Sequence, residues 1–202
     1  MNRIADELQR LRERGLYRTL SPLPAGGGRI AVPGGTLLNF SSNDYLALSA
    51  HPEVTAAAAE AVRRLGCSAS ASRLMSGHLD LHAELERELA ALLGAESALC
   101  FGSGFLANLG VLSVLLGRGD TAYADRLNHA SLIDGVRLAG AESRRYRHKD
   151  TAHLGAFLEQ AAGPGGRVIV TDSIFSMDGD LAPVAELARL ARQHGAVLAV
   201  DE

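Results

Sequence analysis

The chain has 202 residues, of which 47% are hydrophobic and 21% charged, with a formal net charge of -3. These proportions suit a globular protein with a buried core and exclude a disordered tail or a collagen-like rod. Near-neutral charge, aromatics at 4% and no tryptophan exclude a basic or base-stacking nucleic-acid surface.

In chain order, Ile4, Leu8 and Leu11 recur at helical spacing before Gly15, which predicts an amphipathic N-terminal helix. The first residues carry acids and lack an apolar run, so they do not read as a secretory signal. Pro22, Pro24 and Gly26-Gly27-Gly28 predict an irregular stretch, and residues 29–32 and 37–40 a hairpin around Pro33-Gly34-Gly35. Residues 1–50 thus form an expected arm, and 51–202 a second region. A helix is predicted over 52–65, with Pro52 in its first turn and Gly66 as its stop. A second covers 80–93, with Leu81, Leu85, Leu89 and Leu92 on one face.

From there strands and helices alternate: strand 97–101, helix 105–116, strand 121–124, helix 131–139, strand 143–147, helix 151–162, strand 167–171, helix 184–194 and strand 196–200. Such alternation predicts an α/β fold with a mostly parallel sheet flanked by helices. Residues 98–117 carry no charge and are long enough to span a bilayer. Gly102-Ser103-Gly104 and Asn108 interrupt the run, and no Lys/Arg cluster flanks it, so a buried strand, turn and helix are expected instead. Cys67 and Cys100 lie far apart, without CxxC or metal-ligand spacing, and no metal site is expected. They point to a reduced, cytoplasmic protein. The chain stops directly after a strand, at Asp201-Glu202, as a truncated protein would.

In parallel sheets ligands bind beyond the carboxyl ends of strands, which directs attention to four stretches. Gly102-Ser103-Gly104-Phe105-Leu106-Ala107 fits G-x-G-x-x-[GA], whose backbone N–H groups at a helix start attract phosphate. The phosphate could belong to a dinucleotide, with Asp125 on the ribose, or to a monoester such as pyridoxal phosphate (PLP); an empty tight turn is the third reading. His129, after the next strand, could stack on a heteroaromatic ring or meet a substrate carboxylate. Ser176, within Ile174-Phe175-Ser176-Met177, reads as one hydroxyl in an apolar pocket wall, against the plainer reading of a turn. Asp201 ends an apolar strand, where it could sit beneath a pyridine nitrogen or cap a following helix.

Two further blocks precede these stretches: Asn39-Phe40-Ser41-Ser42-Asn43-Asp44-Tyr45-Leu46 and Ser72-Arg73-Leu74-Met75-Ser76-Gly77. Taken in order, the blocks resemble the PLP-dependent α-oxoamine synthases, over essentially the whole chain. The resemblance implies the large domain of a fold type I, aspartate-aminotransferase-like enzyme, incomplete here. It implies a decarboxylative acyl transfer, and the Ser-Ser-Asn-Asp wording favours the member that condenses L-alanine with a pimeloyl thioester in biotin biosynthesis. It also implies that Gly104 and Phe105 hold the cofactor phosphate and that His129 stacks on the ring and contacts substrate. Ser176 would lie near the ring's phenolic oxygen and Asp201 on its nitrogen. Arg18 and Asn43 would meet substrate. Relatives are homodimers with the active site at the subunit interface.

The family's Schiff-base lysine is expected beyond Glu202, as are a threonine for the phosphate and a further histidine. The only lysine present, Lys149, lies in a charge run, so the chain by itself is expected to be inactive. Cys67 to Ala71 stands where relatives are glycine-rich, and Asp172 where a glutamate is more usual. A sister synthase (2-amino-3-ketobutyrate ligase, 5-aminolevulinate synthase or serine palmitoyltransferase) would differ only in substrates. An NAD-binding dehydrogenase leaves His129 and Ser176 without a role, and a lysine-less partner subunit is the remaining alternative.

Overall fold

A computed structural model describes residues 3–24, 28–161 and 163–202. The chain forms two compact units, Met1–Leu79 and Asp80–Glu202. The helix expected to open the second region therefore belongs to the first unit.

In the first unit, helix α1 (Arg3–Glu13) ends before Gly15, whose φ of +65° few other residues adopt. Strands β1 (Arg29–Val32) and β2 (Gly35–Leu38) pair antiparallel with Val32 opposite Gly35. The turn is thus Pro33-Gly34, and β2 starts two residues earlier than expected because Gly35 joins the ladder. Gly26 and Gly27, read as irregular, lie outside the described residues. Helix α2 (Pro52–Leu65) has the bounds its sequence predicts. Among the described residues of this unit no apolar side chain is fully buried.

The second unit holds the core. It runs through α3 (Asp80–Leu93), α4 (Gly104–Leu115), β3 (Thr121–Asp125), α5 (Ala130–Ala139), β4 (Glu142–Tyr146), α6 (Thr151–Glu159) and β5 (Arg167–Asp172). A small hairpin of β6 (Ile174–Phe175) and β7 (Asp180–Leu181) precedes α7 (Val184–His194) and β8 (Val197–Asp201). β4, β3, β5 and β8 lie in that order, all parallel, as alternation predicts. Side chains alternate between the faces with the strand period of two. Tyr123, Ile169 and Leu198 share one rung and pack with Leu154 and Leu158 of α6 and Leu187 and Leu190 of α7. Ala122, Val168, Val170 and Ala199 face Leu112 of α4 and Leu132 and Val136 of α5. α4 and α5 cross closely at Gly135, where an added Cβ would lie 2.9 Å from Leu112 Cδ1 and 3.2 Å from the Asn108 carbonyl oxygen.

Two expectations need correction. Residues 97–101 are not a strand: they pair with no other strand among the described residues, and Cys100 N donates instead to Glu86 Oε1 of α3 at 2.7 Å. The ladder that defines a strand needs a neighbour, which an apolar run cannot supply alone. The glycine motif therefore follows a loop. Helix α6 ends at Glu159 rather than 162, short of the turn-forming Gly163-Pro164-Gly165-Gly166 run; Ala162 lies outside the described residues. No helix is long and apolar enough to cross a membrane among the described residues, and the charge-free stretch 98–117 is split between loop and α4.

At the amino ends of the strands, Asp120 fastens two turns: Oδ2 accepts from Gly117 N at 2.8 Å and Oδ1 from Gly166 N at 2.6 Å. At the carboxyl ends the chain reverses direction. It steps from β3 outward to β4, then returns to the other side of β3 for β5 and β8. Such a reversal opens a crevice between β3 and β5.

Candidate functional site

The crevice is a cleft of about 240 Å³ lined by Gly104, Phe105, Asn108, His129, Ser131, Asp172, Ile174, Ser176, Asp201 and Glu202. Gly104, Phe105, His129, Ser176 and Asp201 were each singled out from sequence, and the fold brings all five to one place. Each arrives by a separate route. Gly104 and Phe105 open α4, where Ser103 caps the helix by accepting from Leu106 N, and the first N–H groups of a helix have no partner within it. A Cβ built on Gly104 meets nothing within 4 Å, so the approach to these N–H groups is open. His129 caps α5 at the end of β3, Ser176 tops the β6–β7 hairpin, and Asp201 ends β8.

A bridge of hydrogen bonds joins them. Asn108, on α4, donates both amide hydrogens: one to Asp201 Oδ2 at 2.7 Å and one to Ser131 Oγ at 2.9 Å. Ser131 Oγ lies 2.6 Å from His129 Nδ1, which also accepts from Ser131 N at 3.3 Å. A backbone N–H can only donate, so Nδ1 is the acceptor, and the ring proton falls on Nε2. The second oxygen of Asp201 has no protein partner among the described residues. Across the crevice Asn128 Nδ2 donates to the Val170 carbonyl at 2.8 Å and His129 N to Asp172 Oδ2 at 2.8 Å. The edge of Phe105 faces His129 at 6.4 Å between centroids. Burial pushes the Asp172 carboxyl up from its ordinary value against the hydrogen bond from His129 N, and the charges of Asp201 and Asp125 push the same way as burial.

Asn108 and Ser131 were not recognised as site residues in the sequence. Asn108 was visible only as a polar break in an apolar run, and Ser131 as the second residue after His129. Asp125, the candidate ribose acid, is buried and fully engaged: Oδ1 accepts from Leu127 N at 2.9 Å and meets His148 Nδ1 at 3.0 Å, while Oδ2 accepts from Lys149 N. It faces no ribose site, which removes the ground for the dinucleotide reading. Arg18 and Asn43 are exposed residues of the first unit. Among the described residues no cluster of His, Cys, Asp or Glu is arranged to hold a metal ion.

The family model for class I and II aminotransferases matches residues 35–202. The chain belongs to that family. Within the aminotransferase family it is 48% identical over 203 residues to 8-amino-7-oxononanoate synthase of Citrifermentans bemidjiense, covering 100% of this chain and 52% of that protein. It is 50% identical over 200 residues to the synthase of the same name from Geobacter sulfurreducens, covering 98% and 51%. Among solved structures it resembles serine palmitoyltransferase from S. paucimobilis with bound PLP–myriocin, at a TM-score of 0.88 and 29% identity over 100% of this chain and 51% of that one. The chain spans about half the length of the curated relatives it matches.

Proposed function

We propose that the chain belongs to a PLP-dependent acyltransferase that condenses L-alanine with a pimeloyl thioester and, with loss of CO2, gives 8-amino-7-oxononanoate for biotin biosynthesis. The observation that carries this reading is the meeting of an open helix start at Gly104, the imidazole of His129, the hydroxyl of Ser176 and the half-free carboxylate of Asp201 in one cleft.

The donor set fits PLP at each end. N–H groups at Gly104 and Phe105 suit a phosphate monoester, and Asp201, anchored through one oxygen by Asn108, offers the other to a protonated ring nitrogen. When bound, the cofactor supplies an electron sink for a carbanion at the amino acid's Cα. The protein's own part is positioning. Asp201 would hold a proton on the ring nitrogen, His129 would cover the ring and present Nε2–H to the substrate, and Ser176 would donate to the phenolic oxygen. Arg18 and Asn43 are assigned to substrate, and the amine-bearing lysine to the chain beyond Glu202. In the reaction the alanine Cα gives up its proton and bonds to the thioester carbonyl carbon as the C–S bond breaks and the thiol leaves; the alanine carboxylate then departs as CO2 and Cα takes up a proton in its place. A homodimer in the cytoplasm completes the reading.

Asp201→Ala in the complete gene product tests it: PLP affinity is expected to fall ~10- to 100-fold, by the loss of a charge-assisted hydrogen bond at a half-buried site. Unchanged affinity would overturn the ring-nitrogen role. A second reading, a sister synthase, is supported by the likeness to serine palmitoyltransferase. Turnover of L-serine with a long-chain acyl thioester, and none of L-alanine with pimeloyl thioester, would establish it in place of the first.

A further inference from the structure

A second polar cluster stands behind the cleft, and the proposed chemistry makes no use of it. His148 follows β4, and its ring lies between two carboxylates. Nδ1 is 3.0 Å from Asp125 Oδ1 at the end of β3, and Nε2 is 3.1 Å from Asp180 Oδ2 on β7. The Phe175 ring of β6 meets the imidazole edge-on at 4.4 Å. Lys149, held at φ +56° with its N–H on Asp125 Oδ2, adds its ammonium to Asp180 Oδ2 at 2.7 Å. Its neighbours on the loop, Arg147 and Asp150, pair with each other and leave the imidazole to these partners. Phe175 and Asp180 begin and end the turn that carries Ser176, and Gly179 N closes that turn on the Phe175 carbonyl at 2.7 Å.

The buried Phe175 side chain also anchors the hairpin, Ser173 N ties its base to the Asp201 carbonyl at 2.7 Å, and Ala182 N closes it on the Ser173 carbonyl at 2.9 Å, but neither backbone bond reaches the turn that carries Ser176. We propose that His148, as an imidazolium donating from both ring nitrogens, is a positioning residue that clasps the β6–β7 hairpin to the end of β3 and so fixes Ser176 against the cleft. Carboxylates accept and do not donate, so the two-sided contact needs both ring protons; a neutral imidazole has one and must release Asp125 or Asp180. Burial works against the charged ring, but the hydrogen bonds and charges of Asp125 and Asp180 outweigh it and raise its pKa, while Lys149 and His148 hold the Asp180 carboxyl below its ordinary value. The clasp is thus present at pH values below the ordinary histidine value and is lost as pH rises through the raised one. The consequence for catalysis rests on Ser176 facing the cofactor; the clasp itself does not.

Hydrogen exchange of residues 174–181 in the complete, cofactor-free gene product, corrected for intrinsic rates, reads the clasp directly. Wild-type protection is expected to fall ~5- to 10-fold between pH ~6 and ~9. His148→Gln, whose donors sit on a single nitrogen and whose amide oxygen can only accept, and Asp180→Asn should each show the low protection throughout, whereas Lys149→Met should keep the pH response. Wild-type protection that stays flat, or a His148→Gln protein with wild-type protection and response, would overturn the proposal. If His148→Gln fails to fold, Asp180→Asn decides on the same readout. In the same proteins, PLP affinity should fall ~3- to 10-fold in His148→Gln at pH ~6 and differ little at ~9. A wild type that binds no PLP would defeat the proposed function while the exchange result still decides the clasp.

Discussion

Asp172 and Asp201 occupy the same rung of β5 and β8, two carboxylates side by side at the rim of the cleft. Asp172 is buried, and desolvation and its acidic neighbours raise its pKa above the ordinary 3.8. A carboxyl with a raised folded pKa binds its proton more tightly in the native state. The stability it contributes is therefore full below about pH 4 and lost as pH rises through the raised value. Asp172→Asn keeps an oxygen for His129 N but removes the charge. Its Tm is expected to exceed that of the wild type at pH 7, with the gap closing at about pH 3.5. A Tm lower than wild type at pH 7, with no deficit at about pH 3.5, would show that the charged carboxylate stabilises the fold instead. A cation between the two acids relieves the same repulsion, which is what a protonated ring nitrogen on Asp201 would supply.

At the scale of elements, the α4–α5 crossing transmits packing to the site, because Asn108 lies on α4 and Ser131 on α5. Gly135→Ala drives a Cβ into Leu112 and the Asn108 carbonyl. Alanine's better helix propensity offsets part of that overpacking, so the net loss is expected at about 1 kcal/mol, read by denaturant unfolding. A stabilised variant would mean that α4 shifts freely. The same elements show what sequence makes legible. α2, α3 and α7 stand at their expected bounds because apolar spacing and end residues are local signals. Residues 97–101 failed as a strand because pairing depends on a neighbour. Likewise the five residues that line the cleft could be picked out one by one, each at a strand end or helix start, whereas the Asn108–Ser131 bridge and the contacts of His148 exist only once separate helices, strands and loops converge.

For the whole molecule, the described part of the first unit buries no apolar side chain completely, and Leu20, Phe40, Leu74 and Met75 are almost fully exposed. The second unit has its cleft at the carboxyl ends of the strands and the turns that Asp120 fastens at the other. Asp120→Ala removes two hydrogen bonds from Gly117 N and Gly166 N. Unfolding free energy is expected to fall by about 1–3 kcal/mol, with PLP affinity unchanged. A parallel loss of affinity would show that the two ends are coupled. Where they are uncoupled, mutation can explore the lip around Ser176 and Asp172 without drawing on the stability that Asp120 provides. A lineage can then reshape that lip while inheriting the same frame, as a lock keeps its case through a change of tumblers.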